Sequence, residues 1–144
     1  MVRPATWASA ADALMSVRTS VFVEEQNVPM DLERDGLDPA CRHAIAFALT
    51  TPGEARGEPD PIGAGRLTGS GHIGRVAVLA AWRGRGVGTA LIRCLIDQSD
   101  SPQVDLNSQT HAIPFYERLG FVVDGAEFEE AGIAHRRMVL DLIR

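Results

Sequence analysis

Residues 81–92, AWRGRGVGTALI, constrain this chain more than any other stretch. Ahead of them HIGRVAVL, residues 72–79, has the length and β-branched content of a strand. Behind them Val87, Leu91 and Leu95 form one i, i+4 row and Ile92 and Ile96 the next, which predicts a helix over 86–98 with one face in a core. Strand, glycine-rich turn and helix thus follow one another without a break. Glycine is a poor helix residue and neighbouring arginines repel, so folding alone gives little reason for three glycines and two arginines within 83–88. Ligand binding gives one. The first turn of a helix leaves backbone N–H groups unpaired and carries partial positive charge. Glycines let that backbone approach a guest and arginines add charge-assisted hydrogen bonds, so the natural guest is a phosphate or pyrophosphate. The plainer alternative is an arginine-rich surface loop whose glycines only make the turn.

Two common phosphate loops are excluded. The P-loop needs a lysine after its last glycine, whereas that position is Thr89 and all 14 basic residues of the chain are arginine. The dinucleotide fingerprint G-x-G-x-x-G fails because Gly84, Gly86 and Gly88 are spaced G-x-G-x-G. One arginine–glycine copy in a chain of formal charge −5 also fits nucleic acid poorly, since a phosphate backbone rewards a basic face. With Gly86 read as a helix residue, valine in its place should cost only tenths of a kcal/mol in propensity while crowding the guest.

The remaining segments supply a sheet around this unit. ATW, residues 5–7, reads as a short first strand, and residues 9–26 as a helix with Ser9 as N-cap and Leu14, Val17, Val21 and Phe22 at helical spacing. Residues 43–49 and 62–68 read as the arms of a hairpin whose proline- and glycine-rich tip, 51–61, is exposed. QVDLN, 103–107, is a short strand, and 111–120 a helix closed by Gly120. Residues 121–142 read as a final hairpin. The order predicts an α/β protein with a mixed sheet. A length of 144 residues suits a single domain, and no stretch approaches the roughly 20 apolar residues of a membrane span. The N-terminus lacks the apolar core of a signal peptide, so a cytoplasmic location is expected. Two cysteines, Cys41 and Cys94, make neither a disulfide framework nor a zinc site, and no metal is expected; Cys94 falls in the apolar helical pattern and reads as core.

VAVLAAWRGRGVGTALI followed by AIPFYERLGF resembles the GNAT superfamily of acetyl-CoA-dependent N-acetyltransferases. The first family pattern, Arg/Gln-x-x-Gly-x-Gly/Ala, is matched by Arg83, Gly86 and Gly88, and the second by Ala112, Phe115, Tyr116, Gly120 and Phe121. VFVEEQNVPMDLERDGLD, the following His43 and EAGIAHRRM resemble the ElaA/YjcF-like subgroup. The resemblance implies the GNAT fold: a mixed, mostly antiparallel sheet with splayed central parallel strands flanked by helices. It implies that the backbone of Val76, Ala77 and Val78 pairs with the pantetheine arm of acetyl-CoA. It implies further that the amides of Arg83, Gly84, Arg85, Gly86, Val87, Gly88 and Thr89 wrap the pyrophosphate. Tyr116, the only tyrosine, would be the general acid for the leaving thiolate, its plainer reading being a core aromatic. Many family members place asparagine three residues before the alanine; here that position is Gln109, with Asn107 two residues earlier, and the pantetheine contact is carried to Gln109.

The implied reaction is direct acetyl transfer to a primary amine, a small cationic one or a peptide N-terminus or lysine. A non-catalytic acyl-CoA-binding or sensing domain is the alternative, and the sequence also allows a longer acyl-CoA donor or a nucleophilic Cys41. An alkylamine has pKa ~10.4, so a base must help it attack. The candidates are Glu24, Glu25, His43, His72, His111 and His135; family geometry favours Glu25, His43 and His135. Residues 24–38 carry six acids against Arg34 alone, either a solvated face or a negative rim that attracts a cationic amine. The partners expected are acetyl-CoA and an amine acceptor, without nucleic acid or membrane, and with a homodimer allowed for.

Overall fold

The structure, a computed structural model, describes residues 1–48 and 59–142. The hairpin tip expected over 51–61 lies, through residue 58, outside the described residues. The strands are β1 (Val2–Ala5), β2 (Arg42–Phe47), β3 (Pro61–Leu67), β4 (His72–Val78), β5 (Gln103–Gln109), β6 (Val122–Val123), β7 (Phe128–Glu130) and β8 (Ile133–Asp141). The α-helices are α1 (Trp7–Arg18), α2 (Met30–Glu33), α3 (Val87–Asp97) and α4 (Ile113–Arg118). They build one sheet in the order β1-β2-β3-β4-β5-β8-β6, with β7 paired to β8. Every pairing is antiparallel except β4 with β5, so the expected mixed sheet and β2–β3 hairpin are present.

Each face of the sheet carries a core. Leu91, Ile92 and Leu95 of α3 are fully buried against Ile73, Val104, Leu106 and Met138, which realises the i, i+4 stripe. Partly buried Cys94 packs at the edge of that cluster. Leu14, Val17 and Val21 pack on the opposite face against Ile45, Ala64 and Ala77. The sheet is thin under α3: a Cβ added to Gly63 or Gly65 would lie 2.9 Å from a δ-methyl of Leu91 or Leu95. These two glycines let the helix settle directly on the strand backbone.

The N-terminal start differs from expectation. Thr6, not Ser9, caps α1; it is extended, and its hydroxyl accepts the Ser9 N–H at 3.2 Å. Ser9 occupies the third helical position, where its amide needs such a partner. Because Thr6 leaves the sheet to cap, the first strand ends at Ala5 rather than running through Trp7. Beyond Arg18 the helix widens into a π-helical segment, Thr19–Glu25, so the predicted extent holds but not the winding. The helix expected over 111–120 is a 3₁₀ turn, Thr110–Ala112, running into α4, and the final hairpin is β7–β8 with β6 beside it.

One irregularity shapes the molecule. β4 and β5 each run seven residues but pair only at His72–Asp105 and Ile73–Leu106. Opposite β3, Arg66 faces Gly74 and Ala64 faces Ala77, which leaves Arg75 and Val76 against Gly65 alone. This is a β-bulge, with Arg75 at φ +50°. The bulge bends the rest of β4 away from β5. Its strained residue is held from outside the strand: the Arg75 guanidinium donates to the carbonyls of Glu33 at 3.0 Å and Leu32 at 3.2 Å.

Candidate active site

A groove of about 990 Å³ opens where β4 and β5 part. β4 runs along it from His72 to Val78, roughly 20 Å at strand rise, so the glycine loop lies past one end and His72 at the other. Val76, Ala77 and Val78 line the groove, as do Arg83, Gly84, Gly86, Val87, Gly88 and Thr89. Gly84 at φ +75° and Gly86 at φ +83° are both left-handed, with no heavy atom within 4 Å of where a Cβ would stand. Gly86 is the N-cap of α3 rather than a helical residue. The first helical amide bond runs from Ala90 to the Gly86 carbonyl, so the N–H groups of Val87, Gly88 and Thr89 precede the ladder. The result is a bare, concave run of backbone at a helix N-terminus, a cradle suited to phosphate oxygens.

The arginines of the loop are placed differently. Arg83 donates from both terminal nitrogens to Glu25, each at 2.7 Å, and from Nε to the Val78 carbonyl at 2.9 Å. Arg85 lies outside the groove lining, its guanidinium 5.1 Å from the Trp82 ring centroid. The Arg83 hydrogen bonds hold the Glu25 carboxyl below the usual carboxylate range, so Glu25 is a poor proton acceptor.

Tyr116 reaches the groove from α4, half-buried between Phe115 and Phe121, whose ring centroids lie 4.9 and 5.9 Å away edge-on. Burial pushes its phenol up to about 12, so it keeps its proton throughout the physiological range. Gln109 also lines the groove, but its amide donates to the Gln26 side chain at 3.1 Å, with Asn107 nearby on the same strand.

The candidate bases separate. His43 is buried on β2 away from the groove, against Trp7 and with Nε2 2.9 Å from the Asp38 carbonyl; burial lowers its pKa. His135 lines the groove, its Nδ1 2.6 Å from the Ile133 carbonyl and its ring stacked on Phe128. His72 and His111 line it too. Cys41 is buried outside the lining, and burial pushes its thiol up, which disfavours a nucleophilic thiolate.

Much of the acidic segment is neutralised internally. Arg18 binds Glu33 at 2.5 Å and Asp38 at 2.7 Å, and Arg66 binds Asp35 and Asp38, the latter at 3.2 Å. Arg75 reaches Asp35 at 3.4 Å. The Oε2 atom of Glu33, in the groove wall, is buried without a hydrogen-bond partner. Sequence reasoning missed this ion-pair set. The available signal was arginine inside apolar patterns, at 18, 66 and 75, since a buried guanidinium requires carboxylates.

Among the described residues no cluster could hold a metal ion, and no helix is long and apolar enough to cross a membrane. A family model, the acetyltransferase (GNAT) domain, matches residues 54–142. The chain belongs to the GNAT family. Within it the chain falls in the ElaA/YjcF-like subgroup. This GNAT protein is 38% identical to the uncharacterized N-acetyltransferase YjcF of Bacillus subtilis, over 87% of this chain and 88% of that one. It is 33% identical to protein ElaA of Escherichia coli over 92% and 88%, and the ElaA crystal structure superposes with a TM-score of 0.75, 28% identity, and 96% and 97% coverage. An acyl-CoA N-acyltransferase from Pseudomonas aeruginosa superposes at 0.78, with 28% identity and 96% and 98% coverage.

Proposed function

We propose that this GNAT protein, acting as a single domain, moves the acetyl group of acetyl-CoA directly onto a primary amine, either a small cationic amine or a peptide N-terminus or lysine. One observation carries the reading: a single groove joins the glycine cradle, the unpaired edge of β4 and a protonated Tyr116. The residues fit the donor. The amides from Arg83 to Thr89 hold the pyrophosphate, and the β4 backbone at Val76, Ala77 and Val78, released from β5 by the bulge, pairs with the pantetheine amides. Gln109 contributes its side-chain amide to the same arm. Glu25 positions Arg83 rather than accepting a proton, and His43 is structural. The amine approaches from the His72 end, and the half-exposed carboxylate of Glu130 elsewhere in the groove wall favours a cationic group.

The reaction is tested by incubating the protein with acetyl-CoA and a panel of spermidine, phenethylamine and a lysyl peptide with a free N-terminus. Free-thiol release matched by an N-acetylated product in the mass spectrum is the expected result. Tight acetyl-CoA binding with no turnover across the panel would instead identify an acyl-CoA-binding or sensing domain.

A further inference from the structure

The acceptor amine must lose a proton, and the groups favoured from sequence do not serve well. Glu25 is engaged by Arg83 through both oxygens, and His43 lies outside the groove. His135 is nearly enclosed, at 9% side-chain exposure, with its ring on Phe128 and its Nε2 3.7 Å from Glu130. His72 differs in each respect. It lines the groove at the first β4–β5 pair, immediately before the strands separate, and its side chain is 36% exposed. Its Nδ1 lies 2.7 Å from Asp105 Oδ1 on the adjacent strand. A carboxylate can only accept, so Nδ1 carries a proton, and in the neutral ring the Nε2 lone pair is free.

Asp105 is fixed in turn. Its Oδ2 accepts from Arg137 of β8 at 2.8 Å, and Arg137 also pairs with Asp124. His72, Asp105 and Arg137 thus form a chain across three adjacent strands. The far edge of the imidazole lies over Gly74, whose missing side chain leaves it room: a Cβ built there would stand 3.8 Å from Cδ2 and 3.9 Å from Nε2. Among the described residues Nε2 has no hydrogen-bond partner. The dyad therefore presents a basic nitrogen to the groove, at the entrance opposite the phosphate cradle.

We propose that His72, oriented by Asp105, is the general base that takes a proton from the acceptor's ammonium group. The inference rests on the acetyltransferase reading above. R–NH₃⁺ gives one proton to Nε2, and the nitrogen lone pair then forms the new C–N bond at the thioester carbonyl carbon. The C–S bond breaks, and its electron pair leaves on sulfur. The thiolate takes its proton through the Tyr116 hydroxyl, refilled by the second amine proton, and the imidazolium returns its own proton to solvent. The sum is an amide, a thiol and one released proton.

The test uses whichever panel amine the parent protein acetylates fastest. His72→Gln should lower kcat about 10²-fold with acetyl-CoA affinity within about twofold of the parent, while His135→Gln should lose less than about tenfold. His72→Ala should regain turnover when free imidazole is added, which a purely structural role would not allow. If His72→Gln melts early, that rescue decides: restored turnover supports the base, and none overturns it. A parent that turns over beside an equally active His72→Gln, or a loss that falls on His135 instead, overturns the base alone. A parent that acetylates no amine overturns the acetyltransferase reading and the base with it.

Discussion

Tyr116 sits against Phe115 and Phe121, and the apolar surroundings that push its phenol up to about 12 also limit what it can do. Full transfer of its proton to a thiolate whose conjugate acid has pKa ~8.5 is uphill by roughly 5 kcal/mol. In the proposed reaction its contribution would therefore be a hydrogen bond to the charge growing on sulfur, with the proton passing on only as the amine's second proton replaces it. Tyr116→Phe keeps the aromatic packing and removes the hydroxyl. It should lower kcat roughly 10²-fold and leave acetyl-CoA affinity little changed by calorimetry. Because a group of pKa about 12 stays protonated at lower pH, the tyrosine should impose no alkaline loss of kcat below about pH 10. An unchanged kcat in Tyr116→Phe would return the residue to the core, the plainer reading of an aromatic on an amphipathic helix.

The strand–loop–helix element was legible because each part has its own sequence period. The α3 stripe at Leu91, Ile92 and Leu95 is buried as its spacing predicts, and the loop stands where the two patterns meet. Two details had no such signal. HIGRVAV reads as an uninterrupted strand, since a bulge is a relation between β4 and β3 and cannot appear in β4 alone. Gly86 reads as the first residue of a helix because the apolar stripe begins beside it, yet it is the cap at φ +83°. That corrects the expected cost of replacing it. A residue with a Cβ pays about 1–2 kcal/mol for the left-handed backbone, not tenths for helix propensity. Gly86→Ala, whose methyl would meet no protein atom within 4 Å, should stay folded with a lowered Tm and weaker acetyl-CoA binding. Undiminished affinity would remove the loop from the site.

At the scale of the whole molecule, the acid-rich segment 24–38 joins elements distant in sequence. Glu33, Asp35 and Asp38 meet Arg18 of α1, Arg66 of β3 and Arg75 of β4, so the segment read as a solvated face or a negative rim is in large part an internal ion-pair network. Composition shows the acids, but only the fold shows where the arginines end. The same network anchors Arg75 in the bulge, and so couples the groove to the stability of the fold. Hydrogen bonds from Arg66 outweigh burial and hold the Asp35 carboxyl well below its ordinary value. Burial pushes Asp38 up, but the hydrogen bonds and charge of Arg18 and Arg66 more than offset it, and its pKa is lowered too. A carboxyl with a lower pKa folded than unfolded stabilises the fold above its unfolded value, near 4, and loses that contribution as pH falls toward the folded one. Tm should therefore fall steeply below about pH 4. Asp38→Asn, which leaves Arg18 without that buried carboxylate, should cost about 3–5 kcal/mol near neutral pH and flatten the acid dependence. Thermal melts of parent and variant from neutral to acid pH make the comparison, and parallel curves would place the acid sensitivity elsewhere in the chain.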